Sequence, residues 1–497
     1  MSFPGACGTG EIFSALLEYR NTIIMTSGTP IKLQEIKPNF VEESLYEVHQ
    51  KVHPRAVSGI FATWRWSMVW FTQLIYYGMC WLPWNGRQAV LFDLVERKFY
   101  IFGLVFWPQD VIFLAILLII SAYSLFLFTA VGGRLWCGYA CPQTVYTEIF
   151  TWIEQKIEGE RNARIKLDAA PMSGRKLWLR TAKYGSWTLL AFWTGFTFVG
   201  YFTPIKTVWE SLWSFSLGPW ETFWMLFYGA FTYLFAGHMR EQVCMHMCPY
   251  ARFQGVMFDP DTLTVTYDTE RGDPRGARKK GVDPKSIAKG DCVDCDICVQ
   301  VCPTGIDIRD GLQYECIGCA ACIDACDQVM EKMNYPKGLI RYSTENAIES
   351  HWGWKEIISH VARPRVIIYS AILGAICLAF VWGIATKANL RVDVIRDRAS
   401  LAREVEGGLI ENVYRLHVIN VSEAPHRYAV SVSGLPGIEL VGERVVEVPA
   451  AGARNFSVQV RVPPESGKKG SNQIFFDVKS LADETVVVHE KASFLQP

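Results

Sequence analysis

The sequence predicts a multi-domain membrane protein. It would combine an α-helical transmembrane bundle of five spans, an α+β domain inserted before the last span, and a C-terminal all-β immunoglobulin-like sandwich. Three observations predict this. Five apolar stretches free of Asp, Glu, Lys and Arg approach the roughly 20 residues that a bilayer-crossing helix needs. More than half of the 15 cysteines fall in one doubled motif between Cys292 and Cys326. From Leu390 onward, short runs of alternating apolar and polar residues follow one another between turn residues.

Composition sets the frame. A chain of 497 residues suggests about three units. Hydrophobic residues make up 50% and charged residues 20%, against a soluble average of about 25% charged. That excludes a disordered chain and argues against a purely soluble one. Lys+Arg and Asp+Glu balance at 49 each, so charge gives no case for a nucleic-acid partner.

The five stretches are Trp66–Trp84, Val111–Val131, Tyr184–Phe202, Thr222–Met239 and Val366–Ala385. Trp and Tyr at their ends suit the membrane interface. Lys and Arg orient them. The loop 132–183 holds nine and the loop 240–365 sixteen, whereas 203–221 holds only Lys206. Basic loops remain cytoplasmic, so the N-terminus lies inside and the C-terminus outside. The run Phe99–Trp107 is too short to cross and is expected at the outer interface. Met1–Pro30 lacks the basic start and apolar core of a signal peptide and reads as a leader, with Met25 an alternative start. The domains expected are an N-terminal region 1–65, a four-span core 66–258, a linker 259–290, a cysteine-rich domain 291–345, the fifth span with its flanks 346–389, and the external domain 390–497.

Cys292, Cys295, Cys298 and Cys302 follow C-x2-C-x2-C-x3-C, with Pro303 next. Cys316, Cys319, Cys322 and Cys326 repeat the spacing, with Asp327 in place of the Pro. This is the pattern of a two-cluster bacterial ferredoxin, in which the fourth cysteine of each motif serves the other cluster. One 4Fe–4S cluster is therefore expected on Cys292, Cys295, Cys298 and Cys326, and the second on Cys316, Cys319, Cys322 and Cys302. In each motif the fourth cysteine is expected to begin a short helix. Zinc would need only four ligands, and disulfides would need the oxidising side of the membrane.

Two further pairs, Cys137 with Cys141 and Cys244 with Cys248, each form C-x3-C-P just past a span that returns inward. They suggest an internal parallel repeat. Pro142 and Pro249 suit the first turn of a helix, which puts Cys141 and Cys248 at helix N-termini. Together with Arg134, Arg240 and Arg252, that setting should depress the thiol pKa values. If the pairs meet, four thiolates could hold Cu(I), ligate a further cluster or form redox disulfides. Met245, His246 and Met247 could join a copper site, although packing is the default. Cys7, Cys80 and Cys377 read as packing residues. His351 and His360 read as interfacial anchors. No span carries a histidine pair for a b-type haem.

Beyond residue 390, strands are expected at Leu390–Arg396, Ile410–Asn420, Arg427–Ser433, Arg444–Val448, Asn455–Val462, Gln473–Lys479 and Thr485–Phe494. Seven short strands without cysteine suggest an immunoglobulin-like positioning module. Before the ferredoxin motif, Leu263–Tyr267 reads as a strand and Arg271–Lys289 as linker.

The arrangement resembles the CcoG/FixG (RdxA) proteins. The resemblance is carried by Gly133–Gln143, Glu241–Gln254, Trp84–Asp93 and Cys292–Cys326, together with the span count and the external sandwich. It implies a protein of the bacterial inner membrane, with the ferredoxin domain cytoplasmic and the sandwich periplasmic. It also implies reduction of Cu(II) to Cu(I) for assembly of a cbb-type cytochrome c oxidase, with that oxidase's assembly factors as partners and an unidentified electron donor. The thiols Cys137, Cys141, Cys244 and Cys248 would carry that chemistry. Quinol oxidation is a second reading, suggested by similar motifs in membrane subunits of periplasmic nitrate reductase systems. A non-catalytic assembly scaffold or redox sensor is a third.

Overall fold

The computed structural model describes residues 51–282, 287–397, 402–483 and 485–497. The Met1–Pro30 leader and Cys7 lie outside them.

Each of the five apolar stretches contributes a helix, with shifted bounds. The first is Ile60–Gly78. It ends before Trp84, which sits in a short strand, so the stretch expected at Trp66–Trp84 starts six residues earlier and takes in Arg65. Its first turn is held by the Asp324 carboxylate, which accepts from the backbone N–H groups of Phe61 (3.2 Å) and Ala62 (2.7 Å). The second, Val111–Gly132, stops where Gly133 turns to φ 53°. The third, Gly174–Val199, starts at Ser173, whose hydroxyl accepts from the Lys176 N–H at 3.2 Å. The fourth, Pro219–Thr232, passes into a π-helical segment, Tyr233–Met239. The last is Pro364–Ala385, with Pro at its first position.

Two helices, Pro108–Gly132 and Pro364–Ala385, are long and apolar enough to cross a membrane by length and composition, with mean hydropathies of 2.8 and 2.3. They pack together through Phe113 and Phe380, whose ring centroids lie 6.1 Å apart. The helices Gly174–Val199 and Pro219–Thr232 touch backbone to backbone. A Cβ on Gly195 would lie 2.1 Å from the Met225 carbonyl oxygen, so only glycine fits there.

The run Phe99–Trp107 is not helical. Its strands Lys98–Ile101 and Leu104–Phe106 join Val90–Asp93 in a three-stranded antiparallel sheet. The stretch expected as a linker belongs to the cysteine-rich fold, because Thr264–Tyr267 pairs antiparallel with Ile340–Ser343.

The C-terminal domain is a sandwich of two antiparallel sheets. One runs in spatial order Glu439–Val441, Ala453–Val462, Leu409–Asn420, Leu390–Arg396. The other runs Val445–Val448, His426–Ser433, Gly470–Ser480, Val487–Gln496. Alternation along the strands turns one face inward, which buries Leu416, Val418, Val430, Val458, Val478 and Phe476 between the sheets. Two three-residue strands, Arg403–Val405 and Glu439–Val441, are additional to the seven expected. Ile419 and Val421 pack on Val105 of the small sheet and on Trp107 just after it. Beside them the buried Asp110 carboxylate pairs with Lys387 (2.9 Å) and with Arg391.

Candidate functional site

The two halves of the cysteine-rich unit are built alike. Asp294 and Asp296 flank Cys295, and Gly318 and Ala320 flank Cys319. All four residues have positive φ, between 55° and 68°. That conformation curls each C-x2-C-x2-C segment into a tight loop and suits Gly and Asp better than larger residues. A helix follows each loop, Ile297–Val301 in the first half and Ala321–Met333 in the second. The fourth cysteines do not begin helices. Cys302 terminates the first helix and Cys326 lies within the second. The second helix runs on to Asn334 where a Pro at 327 would have stopped it. Asp327 there accepts from the Gly338 N–H at 2.9 Å.

Cys292, Cys295, Cys298 and Cys326 line one small cavity. Cys302, Cys316, Cys319 and Cys322 line a second of similar size, with Cys298 also on its wall. Among the described residues, no three His, Cys, Asp or Glu side chains converge tightly enough for a single metal ion. The thiols ring a cavity instead, which is the arrangement a multi-atom cluster requires. Burial pushes Cys298, Cys316 and Cys326 up to about 12, and Cys322 is raised as well. Empty thiols therefore hold their protons, and ligation has to displace them. The first loop also gathers Arg309, which donates to Asp294 and Asp296 at 2.7 Å each and to Asp307 at 2.6 Å.

The two C-x3-C-P segments are structurally equivalent. Each follows a helix that ends on a residue with φ near 45° and ψ near −110°, Gly133 (53°, −110°) in one and Arg240 (40°, −112°) in the other. A short helical turn carries the first cysteine, Leu135–Tyr139 or Val243–Met247. The second cysteine then caps a helix that starts with Pro, Pro142–Glu158 or Pro249–Met257. Arg240 tolerates its left-handed backbone because its side chain is tied down, Nε to the Gly237 carbonyl (3.0 Å) and Nη2 to Glu154 (2.6 Å). Glu154 is fully buried and also faces Arg164 (3.4 Å) and Lys183 (3.5 Å).

The four thiols come together. Each of Cys137, Cys141 and Cys244 lies near enough to others of the set for their charges to oppose its ionisation. The expected pKa depression does not hold. Burial dominates, pushing Cys137 and Cys244 up to about 12 and raising Cys141, although Arg134 acts in the opposite direction on Cys137 and Cys244. Arg240 is committed to Glu154, and the Arg252 guanidinium lies over the Tyr314 ring at 5.7 Å. Cys137 Sγ donates to the buried Gln254 amide oxygen at 3.3 Å. His246 and Met247 are exposed. Cys80 is fully buried and Cys377 partly so. His360 stacks on Trp352 at 4.0 Å.

This thiol set abuts the second cysteine loop. Cys137 and Cys244 pack with Cys319 and Ile317. A Cβ on Gly138 would lie 2.8 Å from the Gly318 carbonyl oxygen and 2.9 Å from the Cys319 Cα, so the two backbones touch. Arg134 locks the junction, donating to the carbonyls of Ala251 (2.6 Å), Tyr314 and Cys316. Arg65 donates to the Cys319 carbonyl at 3.2 Å, and Tyr342 to that of Gly318 at 2.6 Å. Arg65, Arg309 and Asp324 belong to no spacing motif and the sequence reading missed them, while Gly138 and Gln254 fall within the segments it singled out without a role for either.

A family described as a 4Fe–4S dicluster domain matches residues 239–345, and one described as a 4Fe–4S binding domain matches 114–159. Residues 380–497 match the immunoglobulin-like fold at the C-terminus of FixG. The doubled cysteine loops and these matches define an iron–sulfur electron-transfer protein carrying ferredoxin-type 4Fe–4S domains. Over 427 residues the chain is 38% identical to the nitrogen fixation protein FixG of Rhizobium meliloti, covering 80% of this chain and 82% of that protein. Protein RdxB of Cereibacter sphaeroides is 40% identical (83% of this chain, 89% of that one), and protein RdxA of the same organism 35% (89% and 96%). The chain belongs to the FixG/RdxA family.

Proposed function

We propose that this chain is a membrane-bound cupric reductase. In this reading it takes electrons on the cytoplasmic side and supplies Cu(I) for assembly of a cbb-type cytochrome c oxidase. The observation that carries it is the junction at Gly138, where the four-thiol set meets the loop of Cys319 with no side chain between. Cys292, Cys295, Cys298 and Cys326 would hold one 4Fe–4S cluster, and Cys302, Cys316, Cys319 and Cys322 the other. Bound there, such clusters supply single electrons. Cys137, Cys141, Cys244 and Cys248 would bind the substrate two thiols at a time, since no three of them converge on a single ion. Cu(II) gains one electron, and soft thiolates favour the Cu(I) that results. Their half-buried setting requires each ligating thiol to release its proton. Five spans, with the loops 132–183 and 240–365 cytoplasmic, would put the sandwich in the periplasm as a positioning module for assembly partners.

The test is the double variant Cys244→Ser/Cys248→Ser, assayed anaerobically with a Cu(I) chelator. Cu(I) formation should be lost while iron content and visible absorbance stay at wild-type levels. Undiminished Cu(I) formation would remove the thiols from the reaction. A second reading has one observation in its favour. The 4Fe–4S binding family matched at 114–159 includes Cys137 and Cys141, so the four thiols would hold a third cluster. Iron content separates the two.

A further inference from the structure

A cavity of about 250 Å³, open to solvent on one side, lies between the helix Pro142–Glu158, the segment Val52–Val57 and the second cysteine loop. Its wall includes Cys319 from that loop and Cys244 from the thiol set, so an occupant reaches both redox sites. Two arginines of the wall carry buried donors with no hydrogen-bond partner, Nε of Arg65 and Nη1 of Arg240. Their residues are only 8% and 4% exposed. A guanidinium can only donate, and leaving a buried donor unmet is costly. These two atoms are closed off by the surrounding protein and Arg65 also faces Glu148 at 3.9 Å, so it is the positive charge of the two guanidiniums in the wall that favours a ligand with acceptor oxygens.

The remaining wall narrows the chemistry. Trp66 and Trp152 meet edge to face at 6.2 Å and form an aromatic platform. Trp152 is exposed, and Trp66 belongs to a helix whose Trp64, Trp70 and Leu74 present an exposed apolar surface. A flat ring arriving from lipid can reach such a platform. Glu148 and Glu241 line the same space and supply carboxylates that can take up protons.

We propose that this cavity binds the electron donor and that the donor is a membrane-soluble hydroquinone. The oxidation balances within the chain. The hydroquinone gives up its two O–H protons, the first acceptors being Glu148 and Glu241, and two electrons, which the clusters that the two cysteine loops would hold could take up one each. It leaves as the quinone, whose carbonyl oxygens accept from Arg65 and Arg240. This rests on the electron-transfer reading of the chain and is independent of copper as the final acceptor.

The test uses the full-length, cluster-loaded protein in detergent under anaerobic conditions. Photolabelling with an azido-ubiquinone reads binding without turnover. The label should map to the peptides bearing Trp66 and Trp152 and be displaced by decylubiquinone. In parallel, decylubiquinol should bleach the cluster absorbance. Thr147→Trp, which fills the cavity from the helix Pro142–Glu158, should slow that bleaching by about tenfold or more, while dithionite bleaching stays unchanged. Labelling confined to other peptides, wild-type bleaching in Thr147→Trp, or bleaching by NADH and not by decylubiquinol would overturn the proposal. Normal bleaching by decylubiquinol with no Cu(I) formed would sink the copper reading and leave this one standing.

Discussion

The two halves of the ferredoxin unit share a backbone and differ in what they face. The first loop, with Asp294 and Asp296 around Cys295, lies toward solvent. Cys295 is exposed, and Arg309 gathers both carboxylates. The second loop, with Gly318 and Ala320 around Cys319, is covered. Cys319 is 8% exposed, and Gly138 lies against it. Both loops demand positive φ at the same positions. Where water is the neighbour, Asp meets the demand. Where another backbone is the neighbour, only a residue without a large side chain does. The difference marks the second half as the one through which the ferredoxin unit meets the four-thiol set.

The largest expected effect comes from removing a ligand in the covered half. Cys322→Ala should lower iron from about eight to about four atoms per chain, read by metal analysis. Retention of all the iron would break the assignment of Cys322 to the second cluster.

Acidity comes next. Burial holds Cys137 and Cys244 near 12, above the ordinary 9.0, so both stay protonated through the neutral range. In the empty protein that contribution to stability is complete below the ordinary value and is lost as pH rises toward 12. Copper binding expels these protons, so Cu(I) affinity should rise by about tenfold for each unit of increasing pH and each proton displaced. Competition with a Cu(I) chelator between about pH 6.5 and 8.5 reads the slope, and a flat profile would contradict the burial of these thiols.

Gly138→Ala sharpens the comparison further. The added methyl meets backbone on the far side, so a cost of about 1–3 kcal/mol is expected, with a slower reduction of copper at unchanged iron content. Gly255→Ala, on the helix after the other pair and with open space around it, should be neutral or stabilise by up to about 1 kcal/mol. Equal behaviour of the two variants would mean that the junction is not tight.

The smallest effect falls at the edge of the interface. Asp324→Ala removes the cap of the helix Ile60–Gly78 and should cost about 0.5–2 kcal/mol, with Asp324→Asn retaining most of it. Thermal unfolding measures both.

Much of this arrangement was legible because it rests on local rules. Doubled cysteine spacing, Pro after Cys141 and Cys248, and period-two alternation after Leu390 each act within a few residues. The failures have a common cause, which is that tertiary contacts were decisive. The first helix begins at Ile60 because Asp324, from a distant part of the chain, caps it. Residues 259–290 read as a linker because the partner of strand Thr264–Tyr267 arrives only at Ile340–Ser343. Arg134 and Arg240 looked equivalent in sequence, yet Gly133 is the structural counterpart of Arg240, and the two arginines serve different neighbours. The thiol pKa values were misjudged because helix N-termini and arginines are visible in sequence and burial is not.

The central claim is that two clusters sit in the ferredoxin loops and that the four remaining thiols form a separate copper site against the second loop. Anaerobic metal analysis with EPR tests it most directly. The account predicts about eight iron atoms per chain and, after copper is added, bound Cu(I) that Cys244→Ser/Cys248→Ser fails to retain. About twelve iron atoms per chain, falling to about eight in that double variant, would contradict it.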